Sequence, residues 1–189
     1  MNKNKVQRCD WVSDEEVCIN YHDNEWGKPQ HDDQLLFEFI ILEGFQAGLS
    51  WKTILKKREN FKKAFDNFDY NKIALYDDNK KAELKEDAGI IRNKLKIASA
   101  TINAKAFIDI QKEFGSFDKY IWSFVDNKPI INRGFKSYKD APTTTEISDK
   151  ISKDLKKRGF KFVGSTIIYA FMQAIGMVND HSDDCCCRV

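Results

Sequence analysis

Apolar residues recur along this chain at spacings of three and four, and alternating strand patterns are scarce. That is the period of helices. Leu35, Leu36, Phe39, Ile40 and Leu42 form a broad apolar face behind Asp32 and Asp33, either of which can cap a helix, and Gly44 stands where it can end. A second helix is predicted from near Gln46 to Lys57. Between Arg92 and Glu113, Leu95, Ile97, Ile102, Phe107, Ile108 and Ile110 fall near helical spacing. Ile147, Ile151 and Leu155 lie four apart ahead of the terminator Gly159, and Thr166 to Met177 predicts another apolar helix. Pro129 and Pro142 bracket an irregular stretch, Asn127 to Thr144, which reads as a loop. No repeat, low-complexity segment or linker interrupts this pattern. The expectation is a single all-α domain over residues 1–189.

A chain of 189 residues suits such a domain. No apolar run approaches the roughly 20 residues that cross a bilayer, and Met1 to Trp11 is polar and basic, without a signal-peptide core. A cytoplasmic monomer is the default expectation. Net charge is only +2, so nothing global announces nucleic acid. Basic residues do cluster in Lys52 to Lys63 and again in Lys150 to Lys161. Such blocks serve as solvated helix faces or as phosphate-binding surfaces, and charge by itself does not separate the two.

Five cysteines stand at 9, 18, 185, 186 and 187. Neighbouring cysteines pair poorly as disulfides, so the set points to a metal. Cys9 and His22 near the start, with His181 and Cys185 near the end, offer the two thiolates and two imidazoles of a closed, structural zinc site. Cys18 competes with Cys9 for this role, and Cys186 and Cys187 compete with Cys185. The other reading makes Cys9 a small buried residue and His22 a core hydrogen-bonder.

Two segments crowd aromatics around one carboxylate. In Tyr21-His22-Asp23-Asn24-Glu25-Trp26-Gly27, two large rings flank His22. In Leu42-Glu43-Gly44-Phe45-Gln46-Ala47-Gly48-Leu49-Ser50-Trp51, Glu43 closes an apolar helix beside glycines that permit close approach. Glu43 is either the cap of the next helix or a carboxylate aimed at a ligand; Trp26 and Trp51 are either core or pocket wall. Taken together, these groups suit a flat, cationic ligand that rings can stack on and a carboxylate can read. Further along, Gly159-Phe160-Lys161-Phe162-Val163-Gly164-Ser165 is a short turn between two helices. It is either a plain connection or a place where backbone N–H groups converge on a phosphate.

These motifs, with Asp87-Ala88-Gly89-Ile90-Ile91-Arg92 and Asn179-Asp180-His181, resemble 3-methyladenine DNA glycosylase I over nearly the whole chain, Cys9 to Cys187. The resemblance implies an all-α, helix-hairpin-helix fold of the DNA glycosylase superfamily. It implies one structural zinc held by Cys9, His22, His181 and Cys185, joining the segments near residues 9–22 and 181–185. It implies Glu43 and Tyr21 as catalytic groups in a base pocket that they share with Trp51 and Trp26. Leu49 then fills the gap in opened DNA, while Gly159, Lys161, Gly164 and Ser165 grip the backbone. The implied activity is base-excision repair: hydrolytic, monofunctional release of 3-methyladenine from alkylated duplex DNA. The rivals are a non-catalytic damage-binding module and an enzyme acting on free nucleotides. Three departures stand out. Cys18 occupies a position where relatives often carry an aromatic. The turn differs from the usual Pro-Gly-Val-Gly. The aspartate that many superfamily members use after the hairpin is lacking, and Asp180, next to His181, reads as part of the zinc site.

Overall fold

The computed structural model describes residues 6–188. Helices dominate: α1 (Glu16–Asn24), α2 (Asp33–Gln46), α3 (Trp51–Ala64), α4 (Tyr70–Ile73), α5 (Asp78–Glu86), α6 (Lys94–Phe114), α7 (Phe117–Trp122), α8 (Glu146–Lys157) and α9 (Ser165–Ala174). Their starts follow from side chains that satisfy the free N–H groups of a first turn. Asp32 accepts from the Leu35 N–H at 2.9 Å, Asn93 from Leu95 and Lys96, and Thr145 forms a capping box with Ser148.

The predicted helices are present with shifted ends. Gly44 does not terminate α2, which continues to Gln46. A Cβ on Gly44 would stand 3.3 Å from that of Phe162, so this glycine serves a close helix-to-turn approach instead. The next helix starts at Trp51 rather than near Gln46, because Ser50 caps it by accepting from Thr53 at 3.2 Å. The wholly α reading also needs amending. Within the expected loop, β1 (Ile130–Ile131) pairs in parallel with β2 (Val178–Asn179). Ile130 donates to Met177 O at 2.9 Å and Asn132 to Asn179 O at 3.1 Å, which ties the loop to the C-terminal tail.

At the centre is α2, buried continuously from Leu36 to Phe45 and packed against α3, α6, α7 and α9. A helix buried all round must be apolar all round, and here that leaves Glu38 and Glu43 inside the protein. Buried apolar side chains from both chain ends join one continuous cluster. Truncating one of them, for example Leu36→Ala, removes about 2–5 kcal/mol of stability. No helix among the described residues is long and apolar enough to cross a membrane.

Candidate functional site

The three helices α1, α2 and α3 meet at a common cavity of about 510 Å³, to which they contribute Tyr21, Glu43 with Gln46, and Trp51. Trp26 and Trp11 extend its aromatic wall, and Tyr169 and Asp180 belong to its polar side. Tyr21 and Trp51 lie 5.4 Å apart between ring centroids, with Trp11 edge-on to Tyr21 at 6.2 Å and to Trp26 at 5.1 Å. Trp51 is presented at the very start of its helix, so its position depends on the Ser50 cap. The end of α2 is fixed by Lys96, a buried lysine whose ammonium donates to Phe45 O at 2.8 Å and Ala47 O at 2.6 Å.

Glu43 is 3% exposed, and its Oε2 has no hydrogen-bond partner among the described residues. Burial alone pushes its carboxyl up from the ordinary 4.5 to about 8. Burial therefore keeps Glu43 largely protonated near neutral pH, and a positive charge placed beside it favours the ionised form. Burial, with the Glu43 and Glu25 carboxylates nearby, holds the Tyr21 phenol well above its ordinary value. Tyr21 stays a neutral O–H donor.

Next to this cavity Cys9, His22, His181 and Cys185 converge, all buried, with donor atoms within 4.8 Å of one another. Cys185 Sγ lies 3.3 Å from His181 Nδ1 and 3.4 Å from His22 Nε2, and Cys9 Sγ lies 3.4 Å from His181 Nδ1. A tetrahedral ion at about 2.3 Å from sulfur and about 2.0–2.1 Å from nitrogen would separate such atoms by about 3.5 Å. The outward ring nitrogens have the partners that orient metal ligands. His22 Nδ1 meets Asp23 at 2.7 Å, a carboxylate itself gripped by Arg8, and His181 Nε2 meets Trp26 O at 3.2 Å. Burial lowers both imidazoles, His181 to about 4, leaving neutral rings with a lone pair to give. The group is fit to bind a metal ion. Cys18 is not one of the four; it is buried in the apolar core. Trp26 packs on His181 at 4.6 Å, so the cluster braces the cavity wall directly.

The turn between α8 and α9 is held from behind. Gly159, at φ +96°, closes α8 as its N–H reaches Lys156 O while Phe160 reaches Leu155 O, both at 3.0 Å. Asn103 donates to Lys161 O at 3.0 Å and accepts from its N–H at 2.8 Å. The Lys161 side chain is exposed. Gly164 caps α9 without a side chain, and among the described residues nothing lies within 4 Å of where its Cβ would be. Ser165 turns its hydroxyl back to Asp149 and to Ser148, leaving its N–H in the open first turn of α9. Leu49, 40% exposed, follows Gly48 at the α2–α3 turn.

The sequence profile of the methyladenine glycosylase family matches residues 11–188. The chain belongs to that family. It is 50% identical over 182 residues to DNA-3-methyladenine glycosylase 1 of Escherichia coli K12, covering 96% of this chain and 97% of that protein. A crystal structure of 3-methyladenine DNA glycosylase I superimposes with a TM-score of 0.94 at 50% identity, over 97% of this chain and 100% of the other. A tyrosine-to-phenylalanine variant of such an enzyme, solved in complex with 3-methyladenine, matches with a TM-score of 0.92 at 34% identity, over 96% and 97% of the two chains.

For this family member, the structure brings Tyr21, Trp26, Glu43 and Trp51 into one cavity and Cys9, His22, His181 and Cys185 into one cluster. It leaves Leu49 and the α8–α9 turn outside the residues that line the cavity. Asp180 corrects an expectation. It is not among the clustered donors but in the cavity wall, accepting from Tyr169 and Gln173 at 2.6 and 2.7 Å and from Asn132 at 2.7 Å. The two basic blocks are less free than their charge suggests. Lys52 and Lys56 share Glu15, Arg58 bridges Glu25 and Glu38, and Arg158 is bound to Glu113 and Asp154. Trp11, outside every motif quoted above, lines the cavity, and so does Gln46, which stands in one of them without an assigned role. A tryptophan two residues from a candidate ligand cysteine was the available signal for the first.

Proposed function

We propose that this protein is a DNA N-glycosylase that releases 3-methyladenine from alkylated DNA. One observation carries the reading: a buried carboxyl with an unpartnered oxygen stands in a cavity walled by tyrosine and tryptophan rings. Adenine methylated at N3 is a flat cation. Rings stack on it, and Glu43 accepts from its amino edge while the base's charge stabilises the carboxylate. The glycosidic bond of such a base is already weakened, so its departure as a neutral leaving group asks little acid catalysis. The relative solved with 3-methyladenine bound supports this substrate.

The nucleotide must leave the duplex first, at a cost of a few kcal/mol. Leu49, exposed on its turn, is suited to occupy the vacated stack. Phosphate meets the first-turn N–H groups of α9 beside Lys161, in the manner of a helix-hairpin-helix element. The open space at Gly164 supports this assignment, because no packing among the described residues requires glycine there. In the pocket, Glu43 and Tyr21 act on the base edge, Trp51 stacks, Trp26 backs the wall, and water attacks the sugar as the base departs. Attraction between Glu43 and a cation also stabilises the bound ground state, so its catalytic share rests on geometry reached in the transition state.

The ion that fits two thiolates and two neutral imidazoles in a closed shell is zinc. One zinc held by Cys9, His22, His181 and Cys185 pins the N-terminal segment to the C-terminal tail behind Trp26. The continuous core supports reading residues 1–189 as one domain. Incubation with alkylated duplex DNA tests the activity: the expected products are free 3-methyladenine and an intact abasic strand. Binding to damaged DNA with no released base would favour the non-catalytic module instead.

A further inference from the structure

The four-residue cluster is closed, and a closed site needs a route for its ion. Cys9, His22 and His181 are 3%, 0% and 1% exposed. Cys185 is the ligand continuous with thiols on the outside. Cys186 is exposed and Cys187 half-buried, and their sulfurs stand 3.6 Å apart. The sulfurs of Cys185, Cys186 and Cys187 all lie within 4.8 Å of one another. Three thiolates about 2.3 Å from an ion in one plane stand about 4.0 Å apart, so this triad matches a three-sulfur shell. The segment is also held in place. Cys186 donates its N–H to Gln7 O at 2.8 Å, and the Cys187 N–H points at Cys185 Sγ at 3.4 Å. Cys187 Sγ reaches inward as well, to 3.7 Å from Asp23 and 3.9 Å from His22 Nδ1.

We propose that Cys185, Cys186 and Cys187 form a second, outer site for a thiophilic divalent ion, through which zinc enters and leaves the buried site. The inference rests on the zinc reading given above. Soft thiolates select such ions over magnesium or calcium. An arriving ion exchanges bound water for sulfur, and each thiol that binds gives its proton to solvent. Cys185 then keeps its bond while His22 Nε2, His181 Nδ1 and Cys9 Sγ replace Cys186 and Cys187: the Cys9 thiol gives its proton to solvent as it binds, and the two released thiolates take protons back from solvent. No electron is transferred. Sharing one ligand between the two shells lets the ion pass without being released into water.

The test uses the purified zinc protein, the Cys186→Ser/Cys187→Ser double variant and cadmium as probe. Both proteins should carry one zinc, and zinc release to an excess of chelator should be slower in the variant by about tenfold or more, a decade of rate corresponding to about 1.4 kcal/mol of added barrier. Native mass spectrometry of the unmodified protein with added cadmium should show a species holding one zinc and one cadmium, absent from the variant. Equal release rates, or no mixed-metal species from the unmodified chain, would overturn the outer site. A double variant that fails to fold leaves the mixed-metal measurement on the unmodified chain as the deciding one. Protein that is purified without zinc, yet binds cadmium through these thiols, would instead contradict the zinc reading.

Discussion

Glu43→Gln should stabilise the protein, and by an amount that depends on pH. Burial raises the folded-state value of Glu43 from 4.5 to about 8. Between those values the folded protein binds a proton at this site that the unfolded chain releases, so stability falls as pH rises across this window. Each unit is worth about 1.4 kcal/mol, which puts the cost at about 3 kcal/mol at neutral pH and below about 1 kcal/mol near pH 5. Glutamine has nearly the same shape and no such proton. It carries its own desolvation penalty in the pocket, but that penalty does not change with pH. Other titrating groups are common to both proteins and cancel in the difference. The stability gap between variant and parent should thus move by about 2–3 kcal/mol in the variant's favour between pH 5 and pH 7. For a chain of this size that is roughly 5–10 °C of relative shift in Tm. Urea unfolding across the range reads the gap directly. Parallel stability curves for the two proteins, or a parent that gains on the variant as pH rises, would refute an acid held protonated by burial.

Cys9→Ser and His181→Ala should each lose the metal and stability together, since the cluster joins distant ends of the chain; metal analysis with thermal unfolding checks this, and full zinc in both variants would reject the ligand set. Lys161→Ala should weaken binding to duplexes of different sequence by similar factors, with a shallower salt dependence; an unchanged slope would place Lys161 away from DNA. Gly164→Val should still fold, losing about 1 kcal/mol at the α9 cap while its side chain enters space open among the described residues, yet bind DNA more weakly than Lys161→Ala in the same assay. Borohydride should trap no protein–DNA adduct, because Lys139, which lines the cavity, is exposed, and the buried Lys96 is committed to the end of α2; Schiff-base lysines are instead desolvated at the reacting centre.

Much of this arrangement was legible in the chain because it is carried by residue chemistry. Cys9, His22, His181 and Cys185 are the kind of donor set that a closed metal site uses whatever the fold between them, the structure brings them together, and α2 announces itself through its apolar length. Ends of elements were harder. Gly44 looks like a terminator in one dimension, whereas its role is set by Phe162, 118 positions later in the chain. Ser50 resolves the start of α3 only when its side chain is seen to accept from Thr53. Short helices such as α4 and α7 have too few turns to show a period, and β1 with β2 amounts to two residues each, paired across nearly fifty positions. At Asp180 the sequence misleads, because adjacency to His181 does not imply a shared direction. Its neighbour's ring faces the cluster of cysteines and histidines, while its own carboxylate faces Tyr169, Gln173 and Asn132. Charge was the weakest guide, since Glu15, Glu25, Glu38 and Glu113 take up much of the two basic blocks.

The central claim is that selectivity and release reside in the Glu43 pocket rather than in the grip on DNA, and chromatography of the bases released from one preparation of methylated duplex tests it most directly. In the proposed role Glu43 would accept from the amino edge of adenine, whereas 7-methylguanine presents a carbonyl there, and an unpaired polar group in a buried pocket costs about 1–3 kcal/mol. The account predicts efficient release of 3-methyladenine and release of 7-methylguanine lower by roughly tenfold to hundredfold. It also predicts that Glu43→Gln and Trp51→Ala lose most of the 3-methyladenine activity, with DNA binding retained by Glu43→Gln. Comparable release of both bases by the unmodified protein, or undiminished release by either variant, would contradict it.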